Sequence, residues 1–227
     1  MWWHYGTFGV AMISFIISLA VQINMSSTFS KYSRVNNRRY LTGAEVATRI
    51  LASKGLYHVR VERVSGNLTD HFDPQANVVR LSESTYNSTS VAAIGVAAHE
   101  CGHAIQHAEN YAPVKLRSSI VKFTNISSTA SYFLILLGIF FDSFDLMTLG
   151  IAFFSVVAFF QLVTLPVEFN ASARAIAILS GDRIIDSGEE GAVKKVLGAA
   201  ALTYVAALVT SILYIIRLLM IRGRSRD

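Results

Sequence analysis

The residues with the clearest capacity for chemistry are His99, Glu100 and His103, in the run His99-Glu100-Cys101-Gly102-His103. Two histidines four apart on a helix share one face, one turn apart, so both imidazoles can reach a single cation. Neutral imidazole suits Zn2+, and a glutamate beside the first ligand is placed to take a proton from an attacking water. The run sits in a chain with only 6 histidines, which favours a metal over a chance match. Catalytic zinc usually has three protein ligands and an open position, so one more donor is required. His107 lies further along the same face, but eight residues of helix place it about 12 Å from His99. Donor atoms about 2.1 Å from one ion cannot lie much more than about 4 Å apart. His107 is therefore expected to be solvated or to support the site from outside, and the third ligand must come from another segment. Glu168 is best placed, because it opens a helix just after an apolar span and has no basic neighbour in its own turn. Asp70, Asp73, Asp182 and Asp186 compete with it. Cys101 points away from the histidine face and reads as a small packing residue. Asn170 and Arg174 lie near Glu168 and could orient ligands or polarise a carbonyl. His71 and Tyr86 could face the same cleft.

These side chains need elements to hold them. Thr42-Gly43-Ala44-Glu45 reads as a capping box, which opens a helix carrying Val46, Ile50 and Leu51 and closing at Gly55. Tyr57 to Val64 alternates apolar and polar residues, the periodicity of a strand. Asn77 to Leu81 is a short β-branched run, expected to pair with it as the outer strand of a small hairpin. That outer strand would leave one edge free beside the metal, so that an extended substrate pairs antiparallel to it. Asn87 or Ser88 is expected to cap a helix from about Ser90 to Glu109, which carries the histidines and ends before Pro113. Pro166 is expected to open a further alanine-rich helix with Glu168 in its first turn, running to about Leu179. Gly181-Asp182-Arg183 breaks it, and a short charged helix follows.

Of the 227 residues 52% are hydrophobic and 15% charged, against about 25% charged in an ordinary soluble domain. A single cysteine excludes an intrachain disulfide framework. The apolar excess is concentrated in uncharged runs at Tyr5 to Ile23, Phe123 to Phe141, Leu146 to Val167 and Val196 to Ile216. Each is close to the roughly 20 residues that a helix needs to cross a bilayer. The first run reads as a retained anchor rather than a cleaved leader, since Met1-Trp2-Trp3-His4 lacks Lys and Arg and no A-x-A site follows. The Lys and Arg residues cluster after the first run, before the second and between the third and fourth. That distribution puts the N-terminus outside and both long polar segments in the cytoplasm. Arg222, Arg224 and Arg226 run against this orientation. Cytoplasmic placement leaves the N-x-S/T triplets at Asn67, Asn87 and Asn125 inert. The net charge of +5 flanks the spans instead of forming a stripe with aromatics, which fits anionic lipid and argues against nucleic acid as a partner.

The motifs, taken in order, resemble the YugP-like family of bacterial membrane zinc metallopeptidases. They are Leu41-Thr42-Gly43-Ala44-Glu45-Val46-Ala47, Gly55-Leu56-Tyr57, Leu68-Thr69-Asp70-His71-Phe72-Asp73-Pro74, Val79-Arg80-Leu81-Ser82 and Val91-Ala92-Ala93. The run Val96 to Gln106 and Leu165-Pro166-Val167-Glu168-Phe169-Asn170-Ala171-Ser172 complete the set. The resemblance implies a zinc peptidase with His99 and His103 as ligands and Glu100 as catalytic acid and base. A more distant likeness to the HtpX membrane proteases implies Glu168 as the third ligand. Two residues depart from the pattern: Cys101 stands where a small aliphatic residue is expected, and Asn170 where Asp is expected.

The expectation is thus a mainly α integral membrane protein with four transmembrane helices and a zincin-like catalytic region containing a small β-hairpin. Residues 1–24 form an N-terminal anchor, 25–118 the catalytic region, and 119–167 a transmembrane hairpin. Residues 168–195 form the helix with the third ligand, and 196–227 a last span with a basic tail. The hairpin crosses the bilayer twice and so returns Glu168 to the side of His99 and His103. The expected activity is hydrolysis of peptide bonds in membrane-associated proteins at the cytoplasmic face of a bacterial plasma membrane, in membrane-protein quality control. The alternative is a non-catalytic membrane scaffold or chaperone-like protein that keeps zinc for structure. A structural site, however, prefers four closed ligands and has no use for the glutamate.

Overall fold

The structure is a computed structural model that describes residues 2–223, with side chains from residue 6 onward. Met1, Arg224 and Arg226, which entered the reading of the anchor and of the orientation, lie outside the described residues. The described chain is mainly helical: α1 (Trp2–Tyr32), α2 (Gly43–Ser53), α3 (Glu83–Tyr86), α4 (Val91–Ala108), α5 (Ala112–Phe140), α6 (Phe144–Gly181) and α7 (Ser187–Gly223). Three short strands, β1 (Arg60–Arg63), β2 (His71–Asp73) and β3 (Val78–Leu81), lie between α2 and α3. Four helices are long and apolar enough to cross a membrane, over Gly6–Tyr32, Ala112–Phe140, Phe144–Gly181 and Ser187–Gly223.

The chain divides into two compact units, one of residues 1–22, 115–165 and 203–227, the other of residues 23–114 and 166–202. In the first, α5 and α6 form an antiparallel pair held by glycine contacts. A Cβ on Gly138 would lie 2.6 Å from Met147, and a Cβ on Gly150 would lie 2.7 Å from Ile135, three residues earlier on α5. Side chains on this unit's outer faces, such as Phe133, Leu136, Phe159 and Leu162, are exposed and apolar, as lipid contact requires.

The second unit carries the core that positions the site. Thr42 caps α2: its hydroxyl accepts from the Glu45 N–H at 3.2 Å while the Glu45 carboxylate accepts from the Thr42 N–H at 2.8 Å. Those bonds hold the Glu45 carboxyl below its usual range, the Thr42 backbone N–H contributing most. Val46, Ile50 and Leu51 on α2 bury against Ile94, Ala98, Cys101 and Ile105 on α4. Complete burial of a side chain such as Ile50 contributes about 1.5–3 kcal/mol. Ser90 caps α4 by accepting from the Ala93 N–H at 3.1 Å. The cap is therefore Ser90 and not Asn87 or Ser88, because α3 and its turn occupy residues 83–88.

Other elements also differ from expectation. The sheet has three strands in the order β1-β3-β2, with β1 parallel and β2 antiparallel to β3. The hairpin therefore joins β2 to β3 around the Asp73-Pro74 turn, and Tyr57 to Val64 contributes only a parallel neighbour. Val78, Val79 and Leu81 are all buried, the composition of an interior strand. Both edges of β3 are paired, so the expected free edge for substrate at residues 77–81 does not exist. Helix α6 runs unbroken through Pro166, and the charged segment after Gly181 belongs to α7 rather than to a separate helix. An apolar helix of this length tolerates a proline where neighbouring groups satisfy the freed carbonyl.

Candidate metal centre

Helix α4 presents His99 and His103 on one face, and α6 presents Glu168 towards them. His99 Nε2 and His103 Nε2 are 3.1 Å apart, and Glu168 Oε2 lies 3.3 Å from the first and 3.6 Å from the second. Three ligands of one tetrahedral ion with bonds of about 2.1 Å would stand about 3.4 Å apart. The observed triangle matches that spacing, and the donor set of two imidazoles and one carboxylate suits Zn2+. Among the described residues these are the three metal-ligating side chains that converge, with their donor atoms within 4.8 Å of one another.

The convergence depends on how closely the two helices approach. Gly102 sits between the two histidines, against Ala171 one turn after Glu168. A Cβ at Gly102 would lie 2.7 Å from the Ala171 carbonyl oxygen and 3.1 Å from its Cα. The absent side chain lets the α4 backbone touch the α6 backbone at the level of the ligands.

The far ring nitrogens are held by groups that the motif alone does not reveal. His99 Nδ1 is 3.0 Å from Ser172 Oγ, and His103 Nδ1 is 3.0 Å from Gln106 Oε1. The orientation of Gln106 is set from both sides. Its Nε2 donates to the Val167 carbonyl at 2.8 Å and to Asn170 Oδ1 at 3.0 Å, and Asn170 Oδ1 also accepts from Arg174 Nε at 2.7 Å. A carbonyl only accepts and a guanidinium only donates, so the Gln106 oxygen must face His103. The Gln106 oxygen therefore accepts from His103 Nδ1–H, which fixes a proton on Nδ1 and leaves Nε2 facing His99 and Glu168. Arg174 is itself anchored by Glu109 at 2.6 Å and lies 5.9 Å from the centre of the Tyr111 ring. Gln106 and Ser172 stand three and four residues beyond His103 and Glu168, on the same helical faces, and that spacing is the signal by which they could have been found.

Burial opposes protonation of His103, but the bond to Glu168 and the charges of Glu100 and Glu168 outweigh it and raise the imidazole above its usual range. Glu100 is 8% exposed, and its carboxylate is bonded to no other described side chain. Cys101 faces the opposite way and is buried against the Ala47 carbonyl, and burial pushes its thiol up.

The competing carboxylates are engaged elsewhere. Asp70 accepts from the Ser82 N–H and hydroxyl, and Asp73 from Arg80 and the turn amides of Gln75 and Ala76. Asp182 accepts from the Ser53 hydroxyl, and Asp186 pairs with Arg38. His107 is exposed, with its ring centre 5.8 Å from that of Phe72. His71 bonds the Thr69 carbonyl, and Tyr86 packs against the α2–α4 core. None of these joins the three converging donors.

Two helix-borne imidazoles and a carboxylate from an apolar helix thus form a donor set able to hold a metal ion. Residues 7–223 match the family described as "putative neutral zinc metallopeptidase", and the chain belongs to that family. It is 49% identical over 211 residues, 93% of this chain and 94% of the relative, to a Bacillus subtilis protein named "Putative membrane protease YugP". No solved structure matches the chain.

Proposed function

We propose that this protein is a membrane-embedded zinc metalloendopeptidase with a zincin-like site, in which His99, His103 and Glu168 hold Zn2+ and Glu100 moves the proton. The observation that carries the reading is the 3.1, 3.3 and 3.6 Å triangle of donor atoms on two helices in backbone contact. When bound, zinc supplies a Lewis acid that polarises the substrate carbonyl and makes water more acidic. The Glu100 carboxylate accepts a proton from the attacking water and delivers it to the leaving amine nitrogen as the C–N bond breaks. The Gln106 oxygen holds the proton on His103 Nδ1, so that its Nε2 remains a ligand. Ser172 orients His99 in the same way.

The four apolar helices support a membrane protein, and the family supports protein or peptide substrates, which we take to be membrane-associated proteins undergoing quality control. On the distribution of Lys and Arg we take the site to lie on the cytoplasmic side of a bacterial plasma membrane, with the chain divided at residues 24, 118, 167 and 195 by its uncharged runs. Glu100→Gln tests the reading against a zinc-holding scaffold. The purified full chain is expected to keep one zinc and to lose cleavage of an unfolded membrane protein. Equal cleavage by wild type and variant refutes the proposed proton transfer, and the absence of zinc from both refutes the centre.

A further inference from the structure

The first compact unit contains a cavity of about 320 Å³ between α1, α6 and α7, lined by Ser14, Phe154, Thr210, Ser211, Tyr214 and Arg217 among others. Its position is anomalous for a cation. Arg222 lies over the ring of Phe144, the first residue of α6, at 3.8 Å, which sets the level at which that helix begins. Arg217 is five residues before it on α7, about 7.5 Å further along the axis, within the apolar stretch. The Arg222 guanidinium has an aromatic face as partner. The Nε of each of these arginines is buried with no hydrogen-bond partner, but no described aromatic ring or carboxylate pairs with the Arg217 guanidinium. An arginine inside a transmembrane segment normally pairs with an opposite charge or with carbonyls, so an unpaired one facing a cavity marks a binding site.

The lining also indicates which ligand fits. Ser14 donates to the Val10 carbonyl at 2.9 Å and Thr210 to that of Ala206 at 2.8 Å, which spends their hydrogens on the backbone. The groups left to donate are Arg217 and the hydroxyls of Ser211 and Tyr214, the latter with its ring centre 4.9 Å from that of Phe154. A guanidinium and two hydroxyls converging between helices suit an anion with several acceptor oxygens. Within an apolar span the bilayer itself supplies such a group, the phosphate of an anionic phospholipid.

We propose that this cavity binds the phosphate of an anionic phospholipid, with Arg217 as its counter-charge and the glycerol ester filling the remaining space. The proposal is independent of the metal centre. The test uses the full chain, delipidated in a non-ionic detergent and titrated with dioleoyl phosphatidylglycerol, dioleoyl phosphatidylcholine or sn-glycerol 3-phosphate. Binding is read by native mass spectrometry and by the shift in melting temperature. Wild type is expected to prefer phosphatidylglycerol over phosphatidylcholine by about tenfold. Arg217→Gln should abolish the preference without lowering the melting temperature in lipid-free detergent, because it removes an uncompensated charge. Arg222→Gln should keep the preference. Ser14→Leu, which fills the cavity and retains Arg217, should lose it, and this variant decides the matter if Arg217→Gln does not fold. Equal losses in the two arginine variants indicate general charge attraction and overturn the site, as does a preference that survives Arg217→Gln or Ser14→Leu. Displacement of the lipid by an equal concentration of sn-glycerol 3-phosphate overturns the lipid as the source of the phosphate.

Discussion

Gly102→Ala perturbs the proposed centre without touching a ligand. The new Cβ would lie 2.7 Å from the Ala171 carbonyl oxygen, with the Ala171 Cα and carbonyl carbon at 3.1 and 3.2 Å. Carbon and oxygen come no closer than about 3.3 Å without strain, so roughly 0.6 Å must be found. All three neighbouring atoms are backbone, and no side chain can swing aside, so the helices themselves must separate. Overpacking of this kind costs about 1–3 kcal/mol. The same shift moves Glu168 on α6 away from His99 and His103 on α4, and metal sites tolerate only about 0.5 Å. Zinc affinity should fall by about 10–100-fold, the range seen when a ligand loses its support. Competition with a chromophoric chelator measures the affinity, and thermal unfolding of the metal-free protein measures the packing cost. Gly95→Ala is the control, since its Cβ meets only the Val193 side chain at 3.4 Å. That variant should bind zinc normally. Wild-type zinc affinity and stability in Gly102→Ala would show that the helix contact does not set the ligand spacing.

Gln106→Leu removes the acceptor that fixes the His103 tautomer, and should weaken zinc binding by about 10–100-fold while Glu100→Gln leaves it unchanged; chelator competition compares the two. Asn170→Asp keeps an oxygen facing both Gln106 and Arg174 and should bind zinc as wild type does, whereas Asn170→Ala frees the Gln106 amide and should fall between wild type and Gln106→Leu in the same assay. Against burial, the Glu168 bond and the charges of Glu100 and Glu168 raise the His103 imidazole, so the metal-free site keeps its proton to higher pH than a free histidine does. Its contribution to metal-free stability should be complete below the ordinary histidine range and lost as pH rises through the raised value. Zinc uptake in that window should release a proton, detectable by calorimetry in buffers of different ionisation enthalpy.

The parts of this molecule that depend on local spacing are legible in the sequence. His99 and His103 share a face because four residues are about one helical turn, and the four apolar helices declare themselves by length and composition. Glu168 could be nominated from its place just after an apolar span with no basic neighbour in its turn, and two crossings return it to the side of the histidines, but four aspartates competed with it and spacing alone does not show their partners. Long-range pairing was not legible. Residues 71–73 are a three-residue strand of His, Phe and Asp, too short and too polar to signal themselves, yet they occupy the edge of β3 that substrate was expected to use. The parallel pairing of Arg60–Arg63 with Val78–Leu81 leaves no mark in either segment. Pro166 reads as a helix start by propensity, but α6 passes through it. Asn87, Ser88 and Ser90 are all good caps, and only the space taken by α3 selects the last. The supports at Gln106 and Ser172 became evident once the far nitrogens of both imidazoles had to be satisfied.

The most direct test is zinc K-edge X-ray absorption on the purified full chain. The account predicts a first shell of nitrogen and oxygen only, at about 2.0–2.2 Å, with the multiple-scattering signature of two imidazoles. His103→Ala should lose the metal, and Glu168→Ala should lose it or hold it in an altered shell, while Cys101→Ala leaves the spectrum unchanged. A sulfur scatterer at about 2.3 Å, or a shell with no imidazole, would contradict the proposed centre.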